Sequence, residues 1–277
     1  MSSTPPRVIR IEPARGHVGL GLAELWTYRE LVFFLVWRDV KVRYKQTLLG
    51  AAWAVIQPFF GMVVFTVFFG HLAHMPSDGV PYPIFSFTAL VPWTFFSSGL
   101  TQASSVLVGG SNLVTKVYFP RLAMPIASVT AGLLDLAISM AMLLAMMGYY
   151  HVTPTVDIVF VPVFIALAFL AALGIGTWLA ALNVRFRDVR YVVPFLIQIW
   201  LFVTPVVYPS SLLAEKWRVL YGLNPMAGVI EGMRWALLGA PAPQFTMVVV
   251  SAAMSLVLAL SGFYYFRRME SSFADLV

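Results

Sequence analysis

Few residues in this chain could carry chemistry, and their scarcity narrows the activity. The 277 residues include no cysteine, which removes disulfides, thiolate nucleophiles and cysteine metal sites. No G-x-x-x-x-G-K-[ST] run occurs, so that cradle for nucleotide phosphates is missing. H-E-x-x-H and G-x-S-x-G are missing too, and with them the zincin and serine-hydrolase arrangements they signal. His71 and His74 stand three residues apart and could share a metal. The acid nearest to them is Asp78, and interfacial histidines fit better, so no metal site is expected. Asp135 is the one ionisable side chain deep in an apolar stretch, where an acid is functional by default. It reads either as an ion-coupling group or as a hydrogen-bonded acid facing the protein interior near Ser139. An ion pump would want further charged groups in other apolar stretches, and there are none. A second concentration of polar groups is the run WRDVKVRYKQTLLG (37–50), with five charges in fourteen residues.

The elements that position these groups are apolar. The chain is 60% hydrophobic and 11% charged, with a mean hydropathy of +0.84. Soluble domains carry about 25% charged residues, so the bilayer is the expected solvent. Charges are absent from 46–77, 79–115, 136–156, 158–184, 191–214 and 235–266. A spanning helix needs about 20 apolar residues. Six transmembrane helices are predicted, over roughly 51–73, 84–108, 122–149, 159–183, 191–208 and 245–266. The blocks are continuous and do not alternate with period two, which favours helices over a barrel. Residues 1–20 hold Pro5, Pro6, Pro13 and three arginines without an apolar core, so no cleavable signal is expected there.

Six crossings place both termini on one side. Fifteen of the 18 Lys and Arg residues then share that side, leaving Lys216, Arg218 and Arg234 on the other. The positive-inside rule makes the basic side cytoplasmic. Loop charge of this kind accounts for the net +6 without nucleic acid, which is not expected as a partner.

The external segment 209–244 is too apolar for a free loop and too charged to span. Asn224-Pro225 reads as a cap and first-turn proline opening a helix over Met226–Leu238. Thirteen residues suit a re-entrant or surface-lying helix, with Leu212–Tyr221 as the other half of a short hairpin. In the basic run, Phe33, Val36, Trp37, Val40 and Tyr44 fall on one helical side, and Arg38, Lys41 and Lys45 on another. Asp39 and Arg43 are spaced as an i, i+4 pair. Such a helix lies in the interface, held by lipid headgroups or by a cytoplasmic partner. Trp53, Phe60, Trp93, Phe96, Trp200 and Phe202 could pack in lipid and aromatic belts or stack on sugar rings along a translocation path. The run ALAFLAALGIG (166–176) permits close helix approach.

Four runs resemble one family: ELWTYRELVFFLVWRDVKVRYKQTLLGAAWAVIQP (24–58), GGSNLVTKVYFPRLAMP (109–125), NVRFRDVRYVVPFLIQIWLFVTPVVYP (183–209) and LNPMAGVIEGMRWALLG (223–239). They resemble the membrane (permease) subunit of ABC-2-type polysaccharide exporters, which move O-antigen or capsular polysaccharide, or polyol phosphate polymers such as teichoic acid. The resemblance covers about 22–268. It implies an all-α integral membrane protein with six transmembrane helices, an N-terminal amphipathic interface helix and short external re-entrant helices between spans five and six. The transmembrane domain would be 23–268, with cytoplasmic tails at 1–22 and 269–277.

The resemblance also implies partners. A second copy would complete the pore, and two ATP-binding subunits would bind below it. ATP and Mg would sit in those subunits, with no cofactor in this chain and no catalytic residue. Coupling to the ATPase would fall on Asn112, Lys116, Tyr118, Phe119, Arg121, Arg185, Arg187 and Asp188. The interface helix would add Arg38, Asp39, Lys41, Arg43, Tyr44 and Lys45. The cargo would be an undecaprenyl-linked polysaccharide, crossing the bacterial inner (plasma) membrane. The alternatives are an ABC-2 exporter of teichoic acid or small amphiphiles, an ion-coupled secondary transporter and a membrane glycan-lipid transferase.

Overall fold

The computed structural model describes residues 22–45, 50, 52–117, 119–270 and 273. The tail 1–21, Tyr118 and most residues beyond Glu270 lie outside them. The described residues form eleven α-helices: α1 (Leu22–Thr27), α2 (Arg29–Lys45), α3 (Ala52–Phe65), α4 (Tyr82–Gly109), α5 (Ser111–Lys116), α6 (Ala123–Tyr149), α7 (Val161–Arg185), α8 (Val189–Val203), α9 (Glu215–Tyr221), α10 (Pro225–Leu238) and α11 (Phe245–Met269). A π-helical segment, Thr66–Leu72, continues α3, and a 3-10 turn, Val156–Phe160, leads into α7.

Five of these helical runs are long and apolar enough to cross a membrane: Ala52–Leu72, Tyr82–Gly109, Ala123–Tyr149, Val156–Arg185 and Phe245–Met269. Each coincides with a predicted span. The span expected over 191–208 is the shorter Val189–Val203, 15 residues, or about 22 Å at 1.5 Å per residue. Pro205 ends it early, because a proline ring disfavours helical geometry in the residue before it. Thr204 is accordingly extended, at φ −97° and ψ 145°.

α4 is the buried axis. Phe85, Phe87, Phe96, Leu100 and Leu107 along it are all buried, and it packs against α3, α6, α7, α8 and α10. The predicted close approach in 166–176 is made against α11. A Cβ added to Gly174 would meet the Ala259 amide nitrogen at 2.5 Å, and one added to Gly262 would meet the Gly174 carbonyl oxygen at 2.2 Å. The two backbones touch, which only residues without side chains allow.

The bilayer offers no water to a stranded carbonyl, so a span must satisfy its backbone from within the protein. Pro58, inside α3, has no N–H to give the carbonyl four residues earlier, that of Ala54. Ser139 of α6 donates its hydroxyl to that oxygen at 2.7 Å. One missing donor therefore fixes how α3 lies on α6. Gly50, at φ +46°, turns the chain toward α3 in a conformation that favours glycine.

Gly262→Val should separate α7 from α11. Its cost in thermal unfolding of the detergent-solubilised protein should exceed the about 1–3 kcal/mol of ordinary overpacking. Gly109→Val, where an added Cβ meets nothing within 4 Å, should leave the melting point within a degree or so.

Candidate functional site

The site begins with Asp135, on α6. Arg43 of α2 pairs with one of its carboxylate oxygens, and Tyr44 of α2 donates its phenol to the other. The same guanidinium donates to the amide oxygen of Gln102 on α4. One acid thus ties the interface helix to two long helices. Burial pushes the Tyr44 phenol well above its usual range, and its bond to Asp135 pushes it further the same way. Tyr44 therefore stays a neutral donor at physiological pH. Ser139, expected beside the acid, is committed to Ala54 instead.

This geometry corrects two local expectations. Asp39 takes Arg38, at 2.8 Å, and not Arg43. The inward side of α2 is Leu31, Val32, Leu35, Val36, Asp39 and Arg43, with Leu35 fully buried. Phe33 and Trp37, expected on one lipid-facing side with Val36, Val40 and Tyr44 and apart from the basic side, are exposed beside Phe34, Lys41, Val42 and Lys45, while Val36, Val40 and Tyr44 are half-buried. Lys41 lies over the Trp37 ring, 5.3 Å from its centroid. The i, i+4 rule treats the helix as isolated, whereas the acid on α6 selects which face turns inward.

The other expected coupling residues divide. Asn112 and Lys116 of α5 are exposed, as are Arg185 at the end of α7 and Arg187 and Asp188 in the turn after it. Phe119 is buried, and Tyr118 lies outside the described residues. Arg121 is engaged: its amide donates to the Glu270 carboxylate at 2.9 Å, and its guanidinium to the Glu270 carbonyl. Arg267 bridges Glu270 at 2.7 Å and Glu24 at 3.0 Å. A chain of charges so links the loop before α6, the end of α11 and α1. Sequence spacing could not reveal this network, since its bonded partners lie up to 243 positions apart.

At the far end the capped helix forms as expected. The Asn224 side chain accepts from the Met226 amide at 3.1 Å, Pro225 occupies the first turn, and Gly239 closes the helix at φ +65°. α10 packs against α4, α7 and α11, and its residues are nearly all buried. This is the burial a helix too short to span requires at membrane depth. α9, expected to form a hairpin with it, packs on α11 instead. Arg234, counted as an external charge, is 1% exposed. It pairs with Glu231 at 2.9 Å, donates to the Val206 carbonyl at 2.8 Å and lies over the Phe85 ring at 3.5 Å. Glu231 also accepts from the Ser210 hydroxyl at 2.9 Å. The i, i+3 spacing of Glu231 and Arg234 inside an apolar run was the available signal.

The six aromatics also separate. Trp93 and Phe96 are buried, and Phe96 packs edge-on against Trp200, whose indole donates to Asn224 at 3.1 Å. Trp53, Phe60 and Phe202 are exposed.

Five membrane-length helices, three of them packed on a buried capped helix, define a multi-pass membrane protein. The chain belongs to the ABC-2 type transporter family, whose profile matches residues 30–238. It is a transport component, and the ATPase of such a transporter is a separate subunit. It is similar to the O-antigen export system permease protein RfbA of Myxococcus xanthus, 30% identical over 255 residues, 91% of this chain and 97% of that protein. RfbA of Klebsiella pneumoniae is 24% identical over 249 residues, 90% and 95%. The polysialic acid transport protein KpsM of Escherichia coli is 24% identical over 244 residues, 85% and 92%. The family is the one the four sequence runs resemble.

Two outcomes follow from the buried charges. Arg234→Met leaves the Glu231 carboxylate buried without its cation, and should cost about 3–5 kcal/mol in chemical unfolding. Glu270→Ala removes the carboxylate that holds the Arg121 amide and one of the two acids paired with Arg267, and limited trypsin digestion should then cut after Arg121 faster than in the parent protein, with the spans intact.

Proposed function

We propose that this chain is the permease subunit of an ATP-driven exporter that moves lipid-linked polysaccharide across the bacterial inner membrane. The observation that carries this reading is the end-to-end likeness to relatives named for O-antigen export and polysialic acid transport, which leaves no large segment of the chain unmatched. The cargo would be carried on undecaprenyl, the two tails would be cytoplasmic, and α8 would complete six crossings together with the loop that follows it.

A second copy of the chain would face α3 and α8. Both pack on α4 and turn apolar side chains outward, Phe60 and Phe68 on one and Phe195, Ile199 and Phe202 on the other. Exposed Gln198 sits among them on α8. A polar amide costs free energy against lipid, and a path between two copies would spare that cost. Trp53, Phe60 and Phe202 have the exposure to line such a path; Trp93, Phe96 and Trp200 would support it from behind.

Two ATP-binding subunits would dock on the basic end. Lys116, Asn112, Arg185, Arg187 and Asp188 are exposed there and would meet them directly. Arg121, Arg43 and Asp39 would act through the packing they hold, and Lys41 and Lys45 would face the partner or lipid headgroups. ATP and Mg would bind in those subunits. Nucleotide binding moves the permease only by favouring one of its two states.

Depletion of the chain should leave undecaprenyl-linked glycan accumulating on the cytoplasmic face, measured by lipid extraction and glycan blotting. Unchanged pools and unchanged surface glycan would remove the cargo assignment. Lys116→Ala with Arg187→Ala should lower surface glycan at least about fivefold, the low end of coupling between two sites, at equal membrane abundance. Normal export in that variant would remove the docking role of these turns.

A further inference from the structure

A cavity of about 270 Å³ opens between α2, α3, α4 and α6. Its lining is unusual for helices in a bilayer. Gln57 of α3, Thr94 and Gln102 of α4 and Asp135 of α6 all reach it, with Trp53 beside them. A polar side chain turned toward hydrocarbon is costly, so polar groups from three spans sharing one space mark a binding place.

These groups are of two kinds. Arg43 donates to both Asp135 and Gln102, which fixes three planar polar groups in place and cancels the charge of the acid. Gln57 and Thr94 find no partner among the described residues. The Gln57 amide brings two donors and an acceptor, and the Thr94 hydroxyl one donor with acceptor capacity. Trp53 is 54% exposed and offers an indole face.

This combination selects a ligand. An acyl chain would cover Gln57 and Thr94 without satisfying them, and a desolvated, unmade hydrogen bond costs about 1–3 kcal/mol each. A bare phosphate would approach the Asp135 carboxylate and meet a single guanidinium already engaged. A neutral ring bearing hydroxyls suits both kinds of group: adjacent hydroxyls bond to the edges of carboxylate and amide, and the C–H face stacks on the indole. The volume lies just under the roughly 300 Å³ at which drug-sized pockets begin, so it admits one ring and not a chain.

We propose that this cavity is a subsite for one monosaccharide unit of the exported glycan, with Gln57 and Thr94 as its hydrogen-bonding groups and Trp53 as its stacking face. The proposal rests on the polysaccharide reading above. It places a sugar contact inside a single subunit, next to the ion pair that holds the interface helix. An occupied subsite would then bear on Arg43 and α2 directly.

The test uses the full exporter in cells that make the glycan. p-Benzoyl-phenylalanine replaces Ser98, which lines the same cavity without serving as one of its binding groups, the cells are irradiated, and the purified chain is probed with a glycan stain. A glycan-bearing adduct is expected, and it should vanish in an isogenic strain that cannot polymerise the glycan. The same photoprobe at Val257, which is exposed on α11 away from α3 and α8, should give none. In parallel, Gln57→Leu should lower surface glycan about tenfold, as expected for one lost hydrogen bond to a ligand, with chain abundance and ATPase co-purification unchanged. No adduct at Ser98, equal adducts at Ser98 and Val257, or full export by Gln57→Leu would overturn the subsite. Each would leave the polysaccharide reading intact, provided depletion of the chain still abolishes surface glycan. If depletion does not, the reading itself fails first.

Discussion

The structure turns on one acid that cannot stand alone. Asp135 lies on a membrane-length helix, where an uncompensated charge is prohibitive. Its counter-ion comes from Arg43, 92 positions earlier and on a helix that spans nothing. Satisfying the acid therefore determines where α2 must lie. Tyr44 and Gln102 complete the shell, so α2, α4 and α6 meet at one point. An interface helix held only by lipid could slide or rotate along the membrane surface. One held by an ion pair with a span moves with that span. That distinction is what a transporter driven from outside the membrane needs.

The same economy governs the rest of the bundle. Without water, every donor and acceptor must be matched inside the protein. Ser139 meets the carbonyl that Pro58 leaves open, and Asn224 serves the first amides of α10 while receiving the Trp200 indole. Arg234 gathers carbonyls from Phe85, Val206 and Tyr208 around a helix too short to cross. In lipid, hydrophobicity does not drive helices together, so small residues do the packing. α7 and α11 consequently meet backbone to backbone at Gly174 and Gly262.

Features written in local composition could be read from the chain. The long apolar blocks gave five spans to within a few residues, because length and apolarity suffice for a helix in lipid. The Asn224-Pro225 cap was legible for the same reason: its chemistry involves adjacent residues. Pairings across the fold were not. Local spacing couples Arg43 to Asp39, but the deeper acid competes for Arg43 and wins. That outcome turns Leu35 inward and leaves Phe33 and Trp37 outside. Arg121 looks like a free loop charge until Glu270 is brought to it by the end of α11. The early end of α8 is local as well, since Pro205 acts on the residue before it, although the span predicted over 191–208 runs past it. The π-helical continuation of α3 has no marker among its residue types.

The most direct measurement is surface-glycan export across a charge exchange at the central pair. Arg43→Asp alone and Asp135→Arg alone place two like charges together at the junction of α2 and α6, and each should abolish export. The double variant restores an opposite-charge pair in reversed order and should recover a substantial fraction of it. Export that survives either single exchange, or that is no better in the double variant than the two single losses combined would give, would contradict the claim that this ion pair couples the interface helix to the spans.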